Sequence, residues 1–325
     1  MRFPTSLAFL FGVLASVAWT VPTNHPVNNF PLEGSVTTPS KAHNVPRAMA
    51  NPKTFKFVTV EVGEGGVLSV PPSPPAIFND KRDIIGSDDR VPWNLSTYPY
   101  STMGIVSAPG FYCSGSLVGP RLVATARHCV PNDALVNDTY ATGKNAVFQP
   151  NRHDYDDQNK TNTKHLLPSS MAILPIAWNL TASAEINGPC SQKHDWAILV
   201  LQDALGEELG YLGAKVIDCE KQKDKPVFVH MGYPGDKAHG KQLYHQVGVK
   251  VTECDECAAA NGPGLMRTDD DAAHGQSGGP LFSFGKSNGL PYVYGVCSSG
   301  GPDNTAFAGG PEFVAAIAKA RQEYD

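Results

Sequence analysis

Long hydrophobic runs are missing from this chain of 325 residues. No apolar stretch approaches the ~20 residues that a membrane-spanning helix needs, so no membrane anchor is expected. Basic residues are the minority, 26 Lys and Arg against 31 Asp and Glu, for a formal net charge of −5. Nucleic acid is therefore not an expected partner, because phosphate recognition needs a basic stripe. Charge is sparse overall, at 18%, while 41% of the residues are hydrophobic, which excludes a wholly disordered chain. No internal repeat is visible, and only the C-terminus carries a convincing helical pattern. Turn formers abound instead, 31 Gly and 27 Pro, and they favour many turns and short strands.

The first residues read as a secretory signal, assigned to 1–18. Arg2 supplies the positive charge, Leu7 to Val17 is an apolar stretch too short to span a bilayer, and Ser16-Val17-Ala18 offers small residues for cleavage. The alternative, a buried N-terminal helix, fits poorly with the Pro-rich segment that follows. Within that segment Phe55–Val60 alternates like a strand, and Pro71-Pro72-Ser73-Pro74-Pro75 has the composition of an extended linker. Lys81-Arg82 then offers a dibasic processing site. Residues 19–82 are thus read as a propeptide with its Pro-rich linker, and 83–325 as the working domain. Sequons begin at Asn94, Asn137, Asn159 and Asn179, which predicts glycosylation on exposed loops. A secreted, extracellular, monomeric protein is expected.

Seven cysteines, all beyond Arg82, suit an oxidising compartment. Cys254-Asp-Glu-Cys257 is half of a zinc pattern, but no second Cys or His pair stands at finger spacing. No metal or cofactor is expected. Cys113 lies 16 residues before Cys129, and a bridge between them would pin the intervening loop. For the others the expected pairs are Cys190 with Cys219 and Cys254 with Cys257, leaving Cys297 as the odd thiol.

Short apolar runs recur between turn signals: Met103–Ser107, Ser114–Val118, Leu122–Ala126, Ala172–Ile176, Trp196–Leu201, Val227–Met231, Val247–Val251, Pro280–Phe284 and Val293–Cys297. This predicts an all-β sandwich or barrel. From Glu312 onward Phe313, Val314, Ile317 and Ala320 share one helical face.

Three segments carry possible chemistry. In Gly275-Gln276-Ser277-Gly278-Gly279-Pro280, glycines frame a serine. A nucleophile needs an open side chain and backbone N–H groups aimed at the developing oxyanion, and glycines permit both; a plain Gly–Ser turn is the bland alternative. In Thr125-Ala126-Arg127-His128-Cys129, His128 follows an apolar strand, and histidine is the natural general base near neutral pH. In His194-Asp195-Trp196, an acid opens an apolar run. A buried carboxylate is costly unless paired, and His128 would meet that cost; otherwise Asp195 is a strand-start turn residue.

The order His, Asp, Ser, in TARHC, HDWAIL and GQSGGPLF, resembles the trypsin/chymotrypsin superfamily. Ile84-Ile85-Gly86-Ser87-Asp88-Asp89-Arg90, Thr97-Tyr98-Pro99-Tyr100 and Gly232-Tyr233-Pro234-Gly235-Asp236-Lys237 sharpen the likeness towards its glutamyl-endopeptidase-like branch. The resemblance implies two six-stranded antiparallel β-barrels with a C-terminal helix, and a secreted serine endopeptidase working through an acyl-enzyme on protein or peptide substrates. It casts His128 as base, Asp195 as orienting acid, Ser277 as nucleophile, and the N–H groups of Gly275 and Ser277 as oxyanion hole. Ser298-Ser299-Gly300 would run beside the substrate as an edge strand. A catalytically inactive, protease-like binding module and an esterase are the rival readings.

Two features depart from the pattern. Position 276 is Gln, where most trypsin-like enzymes hold an Asp that binds the new terminal amine after activation. Asp271 lies six residues before the serine, where a free carboxylate at the pocket base would attract Arg or Lys; in the run Asp269-Asp270-Asp271 it could equally be a loop acid. Ala272 and Cys297 stand where the glutamyl branch typically uses Thr and His, so strict Glu specificity is not expected.

Overall fold

A computed structural model describes residues 55–60, 82–108, 111–130, 135–136, 139–140, 146–150, 167–175, 189–255 and 264–324, all within the unit Ala48–Asp325. The signal segment 1–18 and the sequons at Asn137, Asn159 and Asn179 fall outside these residues. Asn94 is exposed, and its side-chain oxygen accepts from Gln242 Nε2 at 2.9 Å.

Six strands close a first barrel. In spatial order they are Ala197–Leu201, Leu122–Thr125, Phe111–Leu117, Met103–Ala108, Val147–Pro150 and Leu167–Pro175, the last pairing back onto the first. Phe55–Val60 is a strand, as its alternation predicts, and runs antiparallel to Leu167–Pro175 outside that ring. The second barrel runs Phe228–Gly232, Tyr244–Val249, Val251–Asp255, Leu265–Thr268, Thr305–Gly309, Pro291–Gly300 and Pro280–Phe284, which closes on Phe228–Gly232. Tyr244–Val249 and Val251–Asp255 are one strand bent at Lys250, so this barrel also counts six. All the barrel pairings are antiparallel, and the helix Pro311–Tyr324 ends the chain.

The core explains why several strands read as unbroken apolar runs. Successive side chains on a strand face opposite ways. In Ala197–Leu201, residues 197, 199 and 201 fill the first barrel with Val123 and Phe148. Ile198 and Val200 face the other way, into a cluster with Met231, Phe282 and Val296 of the second barrel. A strand buried on both faces has no polar side to show. The C-terminal helix buries Phe313, Ala316, Ile317 and Ala320 in the same cluster, with Val314 half-buried at its margin. Each large side chain so buried contributes about 1.5–3 kcal/mol.

The Cys113–Cys129 bridge is formed. The two sequence-near pairings are corrected: Cys219 bonds Cys254, with Cα atoms 6.5 Å apart. The segment after Cys219 folds back onto the strand carrying Cys254, where Asp224 N–H donates to Val251 O at 2.8 Å, so spatial proximity overrides spacing in the chain. Cys297 is free and buried, as expected.

Candidate active site

Three loops meet where the barrels pack together. His128 lies in the turn Arg127–Cys129, just beyond the strand Leu122–Thr125. The disulfide fastens that turn to the strand Phe111–Leu117, and closing a loop of this length contributes about 3 kcal/mol on a chain-entropy account. Asp195 is fully buried at the start of Ala197–Leu201. Its Oδ1 accepts the backbone N–H of His128 at 2.9 Å, and its Oδ2 is 2.7 Å from His128 Nδ1. The carboxylate therefore serves His128 and is more than a strand-start turn residue. Ser298 Oγ donates to the same Oδ2 at 2.6 Å. That contact joins residues 103 apart in sequence, and no local signal marks it; from the sequence Ser298 is only part of the substrate edge.

Burial pushes the His128 imidazole down, but the charge and hydrogen bond of Asp195 outweigh it, so its pKa stands above the ordinary value. His128 keeps 30% of its side chain exposed while Asp195 keeps none. The imidazole is thus reachable and its partner shielded.

Ser277, half-buried, stands on the second barrel's side of the junction. Its carbonyl accepts from Ser114 N at 2.7 Å, and Ser114 Oγ donates to Gly275 O at 2.7 Å. Thr125 Oγ1 donates to Ser114 O at 2.8 Å. The strand Phe111–Leu117 therefore links the serine loop to the residues leading into His128. Gly278 makes that approach possible. Its φ is +80°, and a Cβ there would strike Thr125 Oγ1 and Ser114 O. Gly275, at φ +93°, similarly lies under the Tyr233 carbonyl. Among the described residues the N–H groups of Gln276, Gly278 and Gly279 donate to the carbonyls of Ala273, Cys297 and Gln276, whereas those of Gly275 and Ser277 take no backbone acceptor.

Asp271 is corrected as a free pocket carboxylate. It is buried, with Oδ1 accepting Ile85 N–H at 2.8 Å and Oδ2 accepting Asp89 N–H at 2.9 Å. Both oxygens are occupied by the segment that precedes the first barrel, which is the loop-acid reading. Ala272 and Ala273 pair with Asp83 and Arg82. Beyond Val296 the strand Pro291–Gly300 keeps Thr305–Gly309 as a neighbour, and among the described residues its other edge is open over Ser298–Gly300. Ser299 Oγ accepts from Gln192 Nε2 at 3.0 Å. Asp83 lies against Gly300, its Oδ2 2.7 Å from where a Cβ on that glycine would stand.

Gln276 has a partner the sequence did not reveal. Its Oε1 accepts from Arg90 Nη1 at 2.8 Å and from Ala273 N at 3.0 Å. The Arg90 side chain is wholly buried, clamped by Asp236 at 2.7 Å and Asp88 at 3.0 Å. Partial burial pushes the Asp88 carboxyl up, but Arg90 and Lys237 more than reverse this and hold it well below the usual range. The donor atoms of Cys113, His128 and Cys129 also cluster, but the two sulfurs are spent in the disulfide and offer a metal no thiolate.

Two six-stranded barrels with a His, an Asp and a glycine-framed Ser at their junction define the trypsin-like class. The trypsin family model matches residues 87–322, and the chain belongs to the trypsin family. It is similar to a glutamyl endopeptidase of Bacillus licheniformis, with 27% identity over 231 residues, covering 70% of this chain and 63% of the relative. The chain thus spans under two thirds of that protein. A solved Glu endopeptidase in complex with MPD matches with a TM-score of 0.55 at 22% identity, covering 74% of this chain and 99% of the other, a likeness of fold.

Proposed function

We propose that this protein is a secreted serine endopeptidase that cleaves peptide bonds through His128, Asp195 and Ser277. The observation that carries the reading is the doubly held carboxylate: Asp195 grips His128 through both its backbone N–H and its Nδ1. That grip leaves Nε2 as the nitrogen able to accept a proton. Ser277 Oγ attacks the substrate carbonyl carbon as its proton passes to His128 Nε2. Asp195 stabilises the imidazolium, and the N–H groups of Gly275 and Ser277 receive the oxyanion. His128 then protonates the leaving amine as the C–N bond breaks. Water, deprotonated by His128, releases the acyl group. The open edge at Ser298–Gly300 would take the substrate backbone as an added strand.

In this reading residues 1–18 are a signal segment and 19–82 a propeptide removed near Lys81-Arg82. The strand Phe55–Val60, laid along Leu167–Pro175, favours a propeptide that assists folding. Secreted protein should begin at or near Asp83, which N-terminal sequencing reads. The decisive test is Ser277→Ala, expected to lower turnover on casein by about 10⁶ with unchanged circular dichroism and lost labelling by a fluorophosphonate. A parent protein that neither cleaves casein nor takes the label would instead be an inactive binding module.

A further inference from the structure

We propose that Arg90 is a positioning residue for the oxyanion loop: through Gln276 it does with a side chain what a newly freed terminal amine does in most relatives. The proposal rests on the serine-nucleophile reading above. Its basis is how the loop 271–277 is held from behind. Five contacts reach it from residues 82–90. Arg82 and Asp83 pair with Ala273 and Ala272. Ile85 and Asp89 donate their N–H groups to Asp271. Arg90 ends the series by donating to Gln276 Oε1, the side chain next to the nucleophile and between the two proposed oxyanion donors.

The Arg90 guanidinium is itself fixed. It makes a bidentate pair with Asp236 at 3.1 and 2.7 Å and a second pair with Asp88, both at 3.0 Å. Lys237 Nζ lies 2.8 Å from Asp88, so two cations balance two carboxylates. A planar fork held on two edges has little freedom to lose, and it presents its remaining hydrogen-bonding direction to Gln276. A neutral amide at 276 fits this arrangement, since the guanidinium is already matched by two carboxylates. An Asp would add a third. The cation lies eight residues inside the Lys81-Arg82 site and belongs to the chain before and after any cut. It also stays protonated across the working pH range, whereas a terminal amine loses its charge near pH 8. The loop needs no new terminus to take its shape.

The test uses processed enzyme whose parent is first shown to be labelled at Ser277 by a fluorophosphonate, which checks the underlying reading separately. Arg90→Met, Arg90→Lys, Gln276→Leu and the Arg90→Met/Gln276→Leu pair are compared by kcat, KM and affinity for a peptide boronate, which needs the oxyanion hole. Losing one oxyanion donor outright costs about 10²–10³ in kcat, so loosening the loop should cost about 10–100-fold, with KM little changed and boronate affinity falling in parallel. Arg90→Lys should recover part of the loss. Gln276→Leu cuts the tether but leaves the Arg90–Asp236 pair, so it carries the test if Arg90→Met does not fold. The double variant should be no worse than the poorer single one. Additive losses, or a raised KM with unchanged kcat and boronate affinity, would overturn the proposal. So would a parent kcat that falls around pH 8 and keeps that profile in Arg90→Met.

Discussion

Two histidine–aspartate pairs in this protein have almost the same bond, 2.7 Å in His128–Asp195 and 2.6 Å in His230–Asp270. Their surroundings differ. His128 rides on a turn beyond the end of a strand and keeps 30% of its side chain exposed, whereas His230 lies within Phe228–Gly232 with none. The ring of His230 meets Phe307 edge-on at 5.0 Å. Asp195 takes three donors, from His128 N, His128 Nδ1 and Ser298 Oγ. Asp270 has one side-chain partner, and among the described residues nothing hydrogen-bonds its Oδ1. Burial drives the Asp270 carboxyl above its usual range, and His230 pulls it back only in part. The bond itself therefore does not tell the two pairs apart. Access to one ring nitrogen does, together with the number of donors on the acid.

The largest expected effect separates the pairs by rate. Asp195→Asn should lower kcat by about 10⁴, because the wrong imidazole tautomer is held, while Asp270→Asn leaves kcat within a few-fold. Equal losses in steady-state assays would break the comparison. Stability should reverse the order. His230→Ala strands a fully buried acid and should cost about 3 kcal/mol in urea unfolding, near the lower end for breaking a buried pair, since Asp270 is already biased towards protonation. His128→Ala leaves Asp195 the backbone N–H of residue 128 and Ser298 Oγ as donors and should cost about 1 kcal/mol. Ser298→Ala removes a hydrogen bond to Asp195 worth about 1.5 kcal/mol, and should lower kcat roughly tenfold.

The smallest effect is in pH. The raised pKa of His128 places the acid limb of kcat/KM above the ordinary value of about 6.5, and Asp195→Asn should move it back down. The sign for stability is opposite. The charged His128–Asp195 pair stabilises the fold fully below the unfolded value of about 6.5 and loses that contribution as pH rises through the folded value. Activity is gained over the window where this stabilisation is lost. A limb at or below 6.5 in the parent would mean that Asp195 does not raise the base.

Much of this was legible because it is local. Pro280–Phe284 is a strand with the expected ends, and Ala197–Leu201 starts one residue later than expected. Three barrel strands escaped. Val147–Pro150 ends in Pro and carries Gln149, Leu265–Thr268 is interrupted by Arg267, and Thr305–Gly309 is built from Ala and Gly around Phe307. None has the β-branched run that signals a strand. The acids show the other limit. In Asp269-Asp270-Asp271, Asp269 faces Lys250, Asp270 the buried His230, and Asp271 the amides of Ile85 and Asp89. Three adjacent carboxylates thus have three fates. Those of Asp270 and Asp271 are set by groups 40, 186 and 182 residues away, which spacing along the chain does not reveal.

The alternation along Ala197–Leu201 also bears on how the protein comes apart. One strand gives three side chains to one core and two to the next, so neither barrel can melt without stripping apolar cover from the other. The pair is two modules in topology and one cooperative unit in thermodynamics. His128 and Asp195 on one side, and Ser277 on the other, would then be lost in a single step, leaving no half-site that binds without reacting. A protease that nicked the connecting stretch between Leu201 and Phe228 would yield two fragments still held together by the cluster around Ile198, Met231 and Phe282.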